Sequence, residues 1–179
     1  MHAITKNNLL EQYSKGTIII HWISFLLIII LIPTGFIMGE MEAGNAKHNL
    51  LLLHVMAGIL VFVLTILRAW LFFRCGRPTK LETGHKLHNK LVVWVERSFY
   101  YLLILLCLSG IILFSTGNIG KELLCANSFA LTSPVIKIGA QNVHKISAII
   151  MIVLLLSHIA GVANHYVRNK ENILKRILP

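Results

Sequence analysis

The sequence predicts an all-α, integral-membrane four-helix bundle with both termini cytoplasmic. Three observations predict it. The apolar residues gather in four blocks, each block has the length of a bilayer-spanning helix, and the basic residues concentrate in the segments that would share one side. Of the 179 residues 56% are hydrophobic and 13% charged, and there is no aspartate. A soluble domain is about half apolar and about a quarter charged, so the chain departs toward lipid on both counts. Its length suits a single transmembrane domain over residues 1–179.

The first block runs over about 18–38, from Ile18 to Met38. Lys6 and Lys15 precede it, as the charged start of a signal peptide would. It is longer than such a peptide's apolar region, and Pro33 to Met38 offers no small-x-small cleavage pattern. It is therefore expected to remain as a helix. The second block covers about 50–73, Leu50 to Phe73, and the third about 92–114. Glu96 and Arg97 interrupt the start of the third, so lipid burial is expected to begin nearer Phe99. The fourth covers about 143–166. Crossing a hydrocarbon core takes on the order of 20 helical residues, and only helices or closed barrels pair every backbone group within lipid. Runs of Leu, Ile and Val without period-2 alternation exclude barrel strands. Ser115 to Gln141, with Gly117, Gly120, Pro134 and Gly139, reads as a structured outer loop. No internal repeat, low-complexity run or linker is evident in the sequence.

Four helices put both termini and the loop between the second and third on one side. That side carries 13 of the 17 basic residues, leaving Lys47, Lys121, Lys137 and Lys145 opposite. The positive-inside rule assigns the basic side to the cytoplasm. The formal charge of +10 is thus mainly a topology signal, suited to anionic lipid headgroups and not to nucleic acid. Cys75, Cys107 and Cys125 fall at different depths and form no C-x-x-C or C-x-x-C-H motif, which excludes covalent c-type haem.

Nine histidines are many for so apolar a chain. His2, His48, His85, His88 and His165 fall in loops or at interfaces, where a solvated side chain is expected. His21, His54, His144 and His158 lie in or at the ends of the apolar blocks, where an ionisable group is costly and usually faces the bundle interior or a cofactor. Helix one starts inside, so His21 lies on the cytoplasmic half. Helices two and four start outside, so His54 and His144 lie on the outer half. His158 follows His144 by 14 residues. That step is a rise of about 21 Å at ~1.5 Å per residue, and ~1400° of rotation, near four full turns, keeps one face. His54 then matches His144 in depth, and His21 matches His158.

The same 14-residue step separates His54 from Arg68 and His21 from Gly35. Arg68 would stand at the depth of the inner pair, either to meet a cofactor carboxylate or to snorkel toward headgroups. Gly35, Gly58, Gly110 and Gly161 would let a flat group approach the backbone, or serve helix packing through small residues. Zinc takes three or four ligands, and no acidic residue lies mid-membrane. Two imidazoles across a bundle suit a six-coordinate haem iron, whose axial ligands set its potential. Two such pairs suit two haem b groups with bis-histidine ligation, stacked across the bilayer and built for electron transfer.

The segments Ile20-His21-Trp22, His54-Val55-Met56-Ala57-Gly58, Arg68, His144, and His158 with Ala163-Asn164-His165-Tyr166 together resemble the bacterial cytochrome b561 family. The resemblance extends from about Tyr13 to the end of the chain. It implies a periplasmic-side haem on His54 and His144, a cytoplasmic-side haem on His21 and His158, and the bacterial inner membrane as location. The short four-helix form is most similar to the superoxide-oxidase type, which implies superoxide as electron donor and ubiquinone as acceptor. On that likeness His165 matches a quinone contact; its other reading is an interfacial histidine beside Tyr166. The outer face should then attract an anion, and it sets four lysines, Lys145 beside His144 among them, against Glu40, Glu42 and Glu122. The chain departs where relatives often open helix three with a histidine four residues before a tyrosine: it has Glu96 before Tyr100. Two further functions fit the residues: a non-enzymatic electron-carrier subunit for a dehydrogenase or hydrogenase-like partner, and a scaffold without cofactor. The protein partner is not specified by the sequence.

Overall fold

The computed structural model describes residues 12–75, 86–117, 134–169 and 173–178. Four long helices make up nearly all of it: α1 Lys15–Glu40, α2 Asn45–Cys75, α3 Lys86–Thr116 and α4 Pro134–Asn169, followed by a short 3-10 turn, Ile173–Arg176. All four helices are long and apolar enough to span a membrane. The all-α four-helix expectation is met.

α1 begins where the Ser14 hydroxyl accepts from the backbone N–H of Thr17 at 3.3 Å, satisfying one of the unpaired amides of a helix start. It ends as Met41 turns to extended backbone at φ −73° and ψ 141°. The Lys47 ammonium donates to the Met41 carbonyl at 2.8 Å, closing the short outer connection to α2. Pro33 lies inside α1 and removes one amide from the helical ladder. Next to it, the Thr34 hydroxyl bonds back to the carbonyls of Ile30 and Leu31, at 3.0 and 2.9 Å.

All four helices run beyond their apolar blocks, α3 and α4 the furthest. α3 starts at Lys86, ahead of Glu96 and Arg97. These two charges therefore lie within the helix and not at its start. α4 starts at Pro134, so Gly139 and Gln141 are helical where a loop was expected. Proline is well suited to open a helix, since the amide it lacks would have no partner there. Lys121, Glu122, Cys125 and Gly120 of that loop lie outside the described residues, as do His2, Lys6, Arg77, Lys80 and His85.

α1 packs on α2, α3 on α4, and α2 on α3, while α1 and α4 barely touch. The fully enclosed apolar core is small: Ile18, Ile28, Val61, Leu64, Ala140, Met151 and Leu154. Large apolar side chains such as Ile30, Leu53, Met56, Val153 and Leu156 point outward. In water such a surface would aggregate; in lipid it is the required one. Buried hydroxyls are satisfied by their own helices, as Thr65 is by the Val61 carbonyl at 2.8 Å.

The two described chain ends meet at one end of the bundle, the end expected to face the cytoplasm. Tyr13 N–H donates to the Arg176 carbonyl at 3.1 Å, and Gln12 Nε2 to the Lys175 carbonyl at 2.9 Å. The indole N–H of Trp22 donates to the Ile177 carbonyl at 2.8 Å. The 3-10 turn is thereby strapped across the start of α1, so both described ends lie on the same side.

Candidate functional site

At the end of the bundle expected to face outward, α2 and α4 bring His54 and His144 together, with ring centres 6.3 Å apart and planes at 62°. Each ring is held by a hydroxyl from the preceding helix. His54 Nδ1 lies 3.0 Å from Thr34 Oγ1. His144 Nδ1 lies 3.0 Å from Ser109 Oγ and donates to the Leu106 carbonyl at 3.0 Å. With its N–H on Nδ1, such a ring keeps the lone pair on Nε2 for a metal. Beside each hydroxyl stands a glycine packed on the same imidazole. A Cβ on Gly35 would lie 3.5 Å from His54 Cε1, and one on Gly110 3.3 Å from His144 Cε1.

These residues fit an iron held by two imidazoles. A metal–imidazole bond of about 2 Å, with each ring centre about 1.15 Å behind its nitrogen, sets two axial rings roughly 6.3 Å apart. Among the described residues no group of three or more His, Cys, Asp or Glu side chains could hold a bare metal ion. A Cβ on Gly58 or Gly161 would meet nothing within 4 Å.

At the inner end, His21 lies within electrostatic reach of His158 and Arg68. His158 lies within reach of Arg68 and Glu96, and its ring meets Phe99 edge-on at 5.5 Å. His158 is exposed, consistent with the poor packing of α1 against α4. Arg68 is half-buried and stands 6.0 Å from the Tyr100 ring centre. It lines a small cleft with Tyr13, Thr17, Phe72, Glu96 and Tyr100. His165 corrects an expectation: it belongs to α4 and is buried, only 7% exposed, because the final turn of α4 lies under the strapped chain end. His48 is exposed, as expected.

Thr34 and Ser109 were missed by the sequence reading, and so was a repeat. Thr34-Gly35 on α1 serves the histidine of α2, and Ser109-Gly110 on α3 serves the histidine of α4. The 14-residue step occurs in every helix: His21 to Gly35, His54 to Arg68, Glu96 to Gly110, and His144 to His158. The two helical hairpins are therefore variations on one pattern, in which Glu96 stands where α1 has His21 and Arg68 where α4 has His158. A hydroxyl–glycine pair at matched depth in α1 and α3 was the available signal.

Comparison with known proteins identifies the family. The family model described as prokaryotic cytochrome b561 matches residues 12–179. Cytochrome b561 homolog 1 of Escherichia coli (strain K12) is 26% identical over 173 residues, covering 95% of this chain and 98% of that protein. No solved structure matches. With four membrane-spanning helices and a family match over almost its whole length, this chain belongs to the prokaryotic cytochrome b561 family, multi-pass membrane b-type cytochromes that bind haem b and transfer electrons.

Proposed function

We propose that this protein is a single-domain, di-haem cytochrome of the bacterial inner membrane that carries electrons from periplasmic superoxide to ubiquinone. His54 and His144 hold the outer haem, and His21 and His158 the inner one. The observation that carries this reading is the 6.3 Å separation of the His54 and His144 rings, the span that two axial imidazoles need around one iron. When bound, the two haems supply one-electron carriage between the two faces of the membrane. Arg68, within reach of both inner histidines, offers its guanidinium to a propionate carboxylate.

Superoxide gives up one electron at the outer end and leaves as dioxygen. Two such electrons with two protons convert ubiquinone to ubiquinol at the inner end. His165, buried in the last turns of α4, contributes to the quinone site. Both termini lie in the cytoplasm, on the side holding 13 of the 17 basic residues.

The test is a dithionite-reduced minus oxidised spectrum with a haem-to-protein ratio, for the wild type and for His158→Ala. Sharp b-type bands at about two haems per chain, falling to about one in the variant, are expected. One haem in the wild type, or two in the variant, refutes the paired-ligand assignment. Superoxide-dependent reduction of ubiquinone by the isolated protein then separates the enzyme from a carrier that serves a protein partner.

A further inference from the structure

We propose that Thr34 and Ser109 are positioning residues for the outer haem, each hydroxyl fixing its histidine as the Nδ1–H tautomer and setting the turn of that imidazole about its iron-facing nitrogen. The proposal rests on the reading of His54 and His144 as axial ligands. It starts from proton counting. A hydroxyl has one hydrogen to give. That of Ser109 is directed at its own helix, 2.7 Å from the Leu105 carbonyl and 3.0 Å from that of Leu106. Toward His144 its oxygen therefore accepts, and Nδ1 must carry the proton. The Leu106 carbonyl, which has no hydrogen to give, lies 3.0 Å from the same Nδ1 and requires the same tautomer.

Thr34 repeats the arrangement on the other hairpin. Its hydroxyl lies within hydrogen-bond distance of the Ile30 and Leu31 carbonyls, as that of Ser109 does of its own helix, and the same assignment makes its oxygen the acceptor from His54 Nδ1 at 3.0 Å. Two independent segments, Thr34-Gly35 and Ser109-Gly110, thus meet two histidines in the same way, hydroxyl on Nδ1 and glycine against Cε1. Such duplication marks a built device and not an incidental hydroxyl bonding back along its helix. Among the described residues neither His21 nor His158 has a hydroxyl on its ring. The inner site is therefore an internal control within the same molecule.

An imidazole whose N–H is held by an acceptor is a more basic ligand through its other nitrogen. It favours the ferric over the ferrous state and lowers the potential of that iron. The two sides differ in a way that ranks the variants. His54 has one acceptor, Thr34, whereas His144 keeps the Leu106 carbonyl when Ser109 is removed. Thr34→Val must therefore act more strongly than Ser109→Ala.

The experiment is a redox titration of the purified, haem-loaded protein, followed optically and by electron paramagnetic resonance. It compares the wild type with Thr34→Val, Thr34→Ala, Thr34→Ser and Ser109→Ala. In Thr34→Val the outer component is expected to shift roughly tenfold toward the reduced form at a fixed ambient potential, which is 59 mV for one electron. Its low-spin signal changes while the inner component stays at the wild-type position. Thr34→Ser restores both, and Ser109→Ala moves the outer component less.

Two wild-type components in Thr34→Val overturn the proposal, and so does a Thr34→Ser variant shifted as far as Thr34→Val. If neither Thr34→Val nor Thr34→Ala retains the outer haem, retention in Thr34→Ser supports the hydroxyl's role and loss in Thr34→Ser overturns it. A wild type with fewer than two haems, or a His54→Ala variant that keeps both, instead removes the ligand assignment on which the proposal rests.

Discussion

The imidazoles of His54 and His144 stand 6.3 Å apart with their planes crossed at 62°. Crossed axial rings leave the iron orbitals that lie along them close in energy, and a low-spin ferric centre then shows a strongly anisotropic resonance. The oxidised protein is expected to show such a signal from the outer site, and His144→Ala should abolish it while the other low-spin signal survives. A rhombic signal of the kind given by parallel rings, disappearing in His144→Ala, would refute the geometry.

Gly35 and Gly110 hold equivalent places and should answer differently to alanine. The added carbon at 110 would sit 3.3 Å from a ring already fixed by two hydrogen bonds, a crowding that costs about 1–3 kcal/mol. At 35 the distance is 3.5 Å, an ordinary contact, and alanine gains about 1 kcal/mol of helix propensity. Less the same helix gain of about 1 kcal/mol, Gly110→Ala should lower the melting midpoint, read from haem absorbance, by up to about 8 °C, with some loss of outer haem. Gly35→Ala should melt no lower than the wild type. Equal losses in both variants would mean that the two imidazoles are not differently crowded.

Trp22 spans the chain ends through its 2.8 Å bond to the Ile177 carbonyl. Trp22→Phe keeps an aromatic ring against Phe25, 5.8 Å away in the wild type, and removes only the donor. One neutral hydrogen bond contributes about 0.5–1.5 kcal/mol, so amide exchange over 173–178 should quicken by roughly 2- to 12-fold. Exchange at the rest of α1 should stay as it was. No change at 173–178 would mean that the strap is held by Tyr13 and Gln12 alone.

The strap also makes topology testable at either end. A folding reporter fused after Pro179 should be fluorescent if that end is cytoplasmic, and a periplasm-dependent phosphatase there should be inactive. Fusions within the α3–α4 connection should give the opposite pair of results. Agreement of the two sites on one side would contradict a spanning α4.

The approach of His54 to His144 was legible because both lie near the starts of helices that run the same way, an orientation read from the alternation of the helices and the basic residues. Thr34 and Ser109 were not. A hydroxyl in an apolar helix usually bonds its own backbone, and both of these do. Their second bond, to a histidine on another helix, depends on how neighbouring helices are rotated against each other, which spacing along one helix does not encode. The start of α4 was hidden because Lys137, Gln141 and Asn142 dilute its hydropathy although they continue the helix. His165 read as interfacial because nothing before the last residues announces that the chain turns back over α1.

Because His54 and His144 sit on α2 and α4, and His21 and His158 on α1 and α4, α4 supplies one member of each pair. During synthesis neither pair exists until that last helix has left the ribosome and entered the bilayer. A chain stalled after α3 would present two lone imidazoles on separate helices and no two-sided site. On the proposed ligation, haem loading would therefore wait for the insertion of α4.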